Sequence, residues 1–224
     1  MKGVIRICAT IPHAQGLEHW GAVHEEMIAE VARDGVEVVI VDLPDVPVTS
    51  VSTRHDADIV AAAHTQAALR AEEQGFDAVA MGCLMEPGVA AAREMLRIPV
   101  IGEAQAAMHM AAIVARKFSF VGPEAGVNQT ELDHARRYGF GEHLASVRGV
   151  QVASLSFAAE EEGLEELMLE AARLAIEEDG ARAIIGYGSL RVIRAMREGL
   201  AVPVINPVTA GILVAEIVVR AQRC

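Results

Sequence analysis

Aromatic side chains are scarce. One Trp, two Tyr and five Phe make up 4% of 224 residues, although 52% of the chain is apolar. Ala, Val, Ile and Leu must therefore build the core, which suits helices packed on a buried parallel sheet. Cysteine is scarce as well. Cys8, Cys83 and Cys224 show no metal-ligand spacing, so neither a disulfide framework nor a metal site is expected. Lysine occurs only at Lys2 and Lys117, and 19 basic residues against 31 acidic ones leave a net charge of −12. Such a chain repels nucleic-acid phosphate on average, and no basic run offers a local exception or a membrane anchor. Long hydrophobic runs are missing too. Glu103, Gln105 and His109 interrupt residues 98–115, and Pro203, Asn206, Pro207 and Glu216 interrupt 201–219. Neither is the uninterrupted apolar run of about 20 residues that a membrane helix needs. The N-terminal stretch has no separate apolar region followed by a cleavage site. These absences point to a cytoplasmic, soluble protein with no nucleic-acid or membrane partner.

What is present is alternation. Short β-branched runs at 4–11, 36–41, 77–82 and 99–102 predict strands, and Ala-rich segments at 16–33, 56–74, 87–96 and 104–116 predict helices. Pro87 falls in the first turn of the third helix. The series then restarts, with strands at 118–121, 150–155, 181–186 and 203–206 and helices at 129–138, 161–178, 190–198 and 208–223. Strand–helix alternation implies a doubly wound parallel α/β sheet.

The second half repeats the first. At an offset of 187 − 83 = 104 residues, GCLMEPGVAAAREMLRIPVIGEAQAAMHMA falls on GYGSLRVIRAMREGLAVPVINPVTAGILVA without a gap. Gly82 meets Gly186, Arg93-Glu94 meets Arg197-Glu198, and Pro99-Val100-Ile101 meets Pro203-Val204-Ile205. The expected architecture is two similar lobes, 1–116 and 117–207, related by a pseudo-twofold. A C-terminal helix, 208–224, would pack back on the first lobe. Ligands of open α/β sheets bind beyond the carboxyl ends of strands, so the cleft between two such ends is the expected site. The equivalent ends carry Cys83 and Tyr187. A thiol at a strand end near a helix N-terminus can act as base or nucleophile; the other reading is a small buried hydrophobe.

The segments GCLMEPGVAAAREM, PVIGEAQAAMHMA and KFSFVG resemble the aspartate/glutamate/hydantoin racemase superfamily, and its hydantoin racemase branch above all. That group includes glutamate, hydantoin and allantoin racemases, maleate isomerase and arylmalonate decarboxylase. The branch's strand, Cys, Asp-Pro-Gly turn and Ala-Ala-Arg helix read here as Cys83, Glu86-Pro87-Gly88 and Ala91-Ala92-Arg93. Its later Gly-Cys-Ala-Gly-Met block falls on Gly186-Tyr187-Gly188-Ser189-Leu190, so a tyrosine stands in the place of the second cysteine.

The resemblance implies proton transfer at an acidic carbon of a small hydantoin, amino acid or carboxylate, without a cofactor or metal. Cys83 would be the thiol acid–base group and Tyr187 its partner. Substrate contacts would come from Pro12, His13, Leu84, Gly122, Gly188, Ser189 and Asn206. Ser189 could instead, or also, cap the following helix. Relatives often assemble, which implies a homo-oligomer. Replacement of the second thiol leaves two alternatives open: a single-thiol decarboxylase or cis–trans isomerase, and a catalytically impaired relative that only binds ligand.

Overall fold

Strand–helix alternation resolves into two parallel sheets with the same strand order. The computed structural model describes residues 3–123, 128–159 and 161–224. By its contacts the chain divides into two units, Met1–Ala106 with Val208–Cys224, and Ala107–Pro207.

The first unit runs β1 (Ile5–Ile11), α1 (Gly16–Val31), β2 (Val36–Asp42), α2 (Arg54–Glu73), β3 (Ala78–Met81), α3 (Val89–Met95) and β4 (Val100–Gly102). Its sheet has the order β2-β1-β3-β4. All pairs are parallel, and Thr10 of β1 lies opposite Met81 of β3. Six of the seven buried residues of α2, namely Ala57, Val60, His64, Ala67, Ala68 and Ala71, follow a helical stripe. Ala68 and Ala71 of this stripe pack in a cluster with Cys8, Val79, Met81, Val89 and Val100, so Cys8 is a core residue whose thiol is pushed up to about 12 by burial. Thr53 and Asp56 form a capping box that starts α2. The contact boundary falls inside α4 (Glu103–Val114), ahead of the 116/117 boundary that the sequence suggests. α9 (Pro207–Gln222) carries the chain back to the first unit. There Arg223 donates to the Gly3 carbonyl at 3.2 Å and pairs with Asp77.

The second unit runs β5 (Phe118–Gly122), α5 (Asn128–Arg137), β6 (Leu144–Gly149), α6 (Ser154–Ala158), α7 (Leu164–Glu177), β7 (Ile184–Gly186), α8 (Leu190–Gly199) and β8 (Val204–Ile205). The order β6-β5-β7-β8 reproduces that of the first sheet, again with parallel pairing. The two halves of the sequence repeat thus fold alike, each around its own sheet.

Two local expectations are corrected. The strand expected at 150–155 is β6, at Leu144–Gly149, and Ser154–Ala158 is helical. β6 is an edge strand with one neighbour, so no continuous apolar run marks it. Its polar side chains find partners instead: Ser146 bonds Ser119 at 2.8 Å, and Arg148 reaches Asp179 at 2.6 Å and Glu178 at 2.7 Å. The chain leaves the strand through Gln151 at φ 60. Second, Pro87 does not open α3. That helix starts at Val89 behind Gly88, whose φ is 79. A Cβ on Gly88 would also lie 2.5 Å from the Ala61 carbonyl oxygen, so both conformation and close approach require glycine.

Candidate active site

The first unit presents Cys83 in the loop 82–88, between β3 and α3. The thiol is half-buried. Its residue has φ 81, a left-handed conformation rare outside glycine, and Glu86 in the same loop has φ 50. Such conformations cost roughly 1–3 kcal/mol each and persist only where surrounding contacts impose them.

Those contacts are polar. The Cys83 N–H donates to Glu103 Oε2 at 3.1 Å, and the Met85 N–H donates to the Cys83 sulfur at 3.4 Å. Glu86 is buried, and its Oε1 accepts from the Gln105 N–H at 2.8 Å. Gly102 makes room for that carboxylate, because a Cβ there would sit 2.2 Å from Glu86 Oε1. Gly82 is equally constrained: a Cβ would lie 2.1 Å from the Thr10 carbonyl oxygen. The Gly82 N–H donates to that oxygen at 3.1 Å and to Thr10 Oγ1 at 3.3 Å.

Burial pushes the Glu103 carboxyl up to about 8, and the nearby Glu86 charge adds to the effect against the Cys83 N–H bond. A protonated Glu103 at the Cys83 backbone N–H removes a negative charge that would oppose a thiolate. α3 begins only at Val89, so the N–H that donates to the Cys83 sulfur is that of Met85 in the loop, not one from the expected helix N-terminus.

Pro12 and His13 follow β1, the strand next to β3, so they share the carboxyl-end rim of the first sheet with Cys83 and Leu84. His13 is buried, and its Nδ1–H donates to the Ala14 carbonyl at 3.2 Å. Burial holds its pKa below the usual histidine value, outweighing the Ala14 bond. The first unit therefore brings Pro12, His13, Cys83 and Leu84 to one end of one sheet.

The second unit gathers its own set. Gly122 ends β5, Tyr187–Ser189 follow β7, and Asn206 follows β8. The Tyr187 N–H donates to the Val121 carbonyl at 3.0 Å. A Cβ on Gly122 would stand 3.8 Å from the Tyr187 Cβ. The Tyr187 ring packs edge-on against Phe157 of α6, with centroids 6.5 Å apart. Gly188 has φ 140, and a Cβ there would press on Phe157 and Val192 at 3.0 and 3.1 Å. Asn206 is buried. Ser189 occupies the N-cap of α8 but makes no side-chain cap bond, which corrects the capping expectation. Its Oγ is buried without a hydrogen-bond partner.

Three residues escaped the sequence reading. Thr10 and His64 bond to each other in the core, and His64 Nδ1 bonds the Pro87 carbonyl at 2.8 Å. The available signal was a histidine inside an otherwise apolar stripe of α2. Glu131 of α5 is buried with Oε2 unpartnered, and burial pushes its carboxyl up to about 8. Among the described residues no cluster of His, Cys, Asp and Glu has the makings of a metal site, and no helix is long and apolar enough to cross a membrane.

The family model of Asp/Glu/hydantoin racemases matches residues 20–215. The chain belongs to the Asp/Glu/hydantoin racemase family. A hydantoin racemase of Pseudomonas sp. (strain NS671) is 28% identical over 96% of this chain and 84% of its own length. One from Paenarthrobacter aurescens is 36% identical over 66% of this chain and 64% of its own. Among solved structures, allantoin racemase from Klebsiella pneumoniae is 30% identical and superposes with a TM-score of 0.89 over 97% of this chain and 89% of its own. An arylmalonate decarboxylase and a maleate isomerase, each 18% identical, share the fold. The family membership makes this chain an isomerase of the racemase type.

Proposed function

We propose that this racemase acts without a cofactor on the acidic carbon of a small cyclic ureide of the hydantoin or allantoin kind. Cys83, as thiolate, takes the proton from that carbon. The electron pair spreads into the adjacent carbonyl as an enolate, and a proton returns from a second group to give the other enantiomer. Tyr187 is that second group. The observation that carries this reading is the Cys83 loop: a half-buried thiol in an imposed left-handed backbone, its sulfur accepting an N–H bond, beyond the carboxyl end of β3. The names of the similar proteins support the substrate class. Leu84, Pro12 and His13 from the first unit, and Gly122, Gly188, Ser189 and Asn206 from the second, are the proposed substrate contacts.

The test is proton NMR in D₂O with single enantiomers of 5-substituted hydantoins and of allantoin, beside chiral analysis. Deuterium entering at the acidic carbon together with inversion, both lost in Cys83→Ser, is the expected result. Full activity in Cys83→Ser overturns it. The phenol at Tyr187 favours one second reading. A phenol ionises near pH 10 and a thiol near 8.5, so Tyr187 donates a proton more readily than it takes one. That suits one-sided protonation after loss of CO₂ from a malonate-type acid. A decarboxylated, optically pure product from an arylmalonate, with no exchange on any hydantoin, would establish it.

A further inference from the structure

The loop that carries Cys83 is gripped at both ends by one buried chain of hydrogen bonds. At its start, the Gly82 N–H is shared between the Thr10 carbonyl at 3.1 Å and Thr10 Oγ1 at 3.3 Å. Thr10 Oγ1 bonds His64 Nε2, and His64 Nδ1 bonds the Pro87 carbonyl, at the loop's far end, at 2.8 Å. The Pro87 carbonyl can only accept, so Nδ1 carries the proton. A neutral ring then accepts at Nε2, and the threonine hydroxyl donates to it. Every polar atom of the ring is used, although His64 is fully buried in α2 among alanines and Val60. Thr65, next along α2, donates from Oγ1 to the Ala61 carbonyl at 2.9 Å and shares that proton with the Gly88 carbonyl at 3.3 Å.

We propose that His64 is a positioning residue for the Cys83 thiol, acting with Thr10 to clamp residues 82 and 87 and so to hold the loop between them in its left-handed form. The proposal rests on the reading of Cys83 as the acid–base thiol. An apolar residue at position 64 would fill the stripe of α2 and make neither bond. Both bonds run to the loop and its neighbouring strand, and neither runs within α2. His64 touches the chemistry only through the backbone that aims the sulfur.

The experiment compares His64→Leu, His64→Gln and Thr10→Val with His24→Leu as a control. His24 is half-buried and bonded to a backbone carbonyl, that of Trp20 within α1, and has no part in this chain of bonds. Each variant is assayed for kcat and KM on a hydantoin, for melting temperature, and for the rate of Cys83 alkylation by iodoacetamide, located by peptide mass spectrometry. Misaiming a reactive group by about 1 Å costs up to about 100-fold in rate. His64→Leu is expected to lose about 10- to 100-fold in kcat with KM within about threefold of the parent, and to alter the Cys83 alkylation rate. His64→Gln, which can both donate and accept, should recover part of the loss, and Thr10→Val should reproduce it from the other end of the chain. His24→Leu should move only the melting temperature. Should His64→Leu fail to fold, Thr10→Val decides alone. Unchanged kcat and unchanged Cys83 alkylation in a folded His64→Leu or Thr10→Val overturn the clamp. If Cys83→Ser keeps its activity, the catalytic reading falls, and the alkylation rates still decide whether His64 positions the loop.

Discussion

The two units solve one problem in different ways. Both carry a β-α repeat with the strand order of edge, centre, centre, edge, and both place a loop after the third strand. In the first unit that loop spans 82–88 and α3 starts at Val89. In the second it spans 187–189 and α8 starts at Leu190, ahead of Ile193, the repeat counterpart of Val89. The longer loop holds two non-glycine residues at positive φ and is braced by Thr10, His64, Glu86 and Glu103. The shorter one holds its positive φ at Gly188 and rests on the Phe157 ring. A strained, specific backbone needs directional bonds, because apolar contact alone leaves several conformations of similar energy. A short glycine turn needs only a surface to lie on.

The largest effects should separate the two loops by chemistry. Cys83→Ser is expected to lower turnover by about 10²–10⁴-fold, the usual contribution of a positioned acid–base group. Tyr187→Phe should retain isotope exchange at the acidic carbon, because Cys83 can still remove and return the proton, while inversion is lost. Equal loss of exchange and inversion in both variants, measured by NMR with chiral chromatography, would erase the proposed division of labour.

Next comes the glycine that precedes Cys83 in one unit and Tyr187 in the other. Gly82→Ala drives a Cβ against the β1 backbone at 2.1 Å, whereas Gly186→Ala meets the flexible end of Met196 at 3.0 Å. Urea unfolding should show a loss of about 3 kcal/mol or more for the first and about 1 kcal/mol for the second. Equal losses would mean that the β1 backbone gives way as easily as a methionine.

The pH dependence follows from buried groups. Glu103 and Glu131 are pushed up from 4.5 to about 8 by burial, one in each unit. Over that interval the folded chain holds protons that the unfolded chain has released, so stability falls as pH rises. His24 and His64, both in the first unit, are held down from 6.5 to about 4. There the unfolded chain holds the extra protons, so stability rises with pH between those values. The two trends oppose each other below pH 6.5, and only the carboxyl trend remains between 6.5 and 8. Urea midpoints should fall across that upper interval, and Glu131→Gln should flatten the fall. A parent midpoint that stays level from pH 6.5 to 8 would contradict it.

The smallest effect concerns Ser189. Its Oγ is buried without a partner, so Ser189→Ala should change stability by no more than about 1 kcal/mol, in the stabilising direction if at all. A clear destabilisation in a thermal melt would show that the hydroxyl is satisfied in solution.

Most of the fold was legible because its signals are local. Apolar runs, helix-ending glycines and the ungapped repeat at an offset of 104 marked fifteen of the elements named above to within a few residues. The failures have a common cause. β6 is interrupted by Ser146 and Arg148, which pair with Ser119, Asp179 and Glu178, residues remote in sequence, and α6 is only five residues long with one fully buried side chain, Phe157. Cys83 was legible as a strand-end thiol in a familiar block. His64 and Thr10 were not, since a single histidine or threonine in an apolar pattern is silent about its partner.

The sequence by itself determined the α/β alternation, the repeat and the family, because each is written in residue order and spacing. Only the tertiary structure decided that His64, 19 positions before Cys83 in the chain by the numbering, grips the loop through Thr10 and Pro87. It also decided that buried Glu103 accepts the Cys83 N–H, and that the Ser189 side chain makes no cap bond to its helix. Hydrogen bonds and burial depend on which distant segments the sheets bring side by side, and no local pattern encodes that.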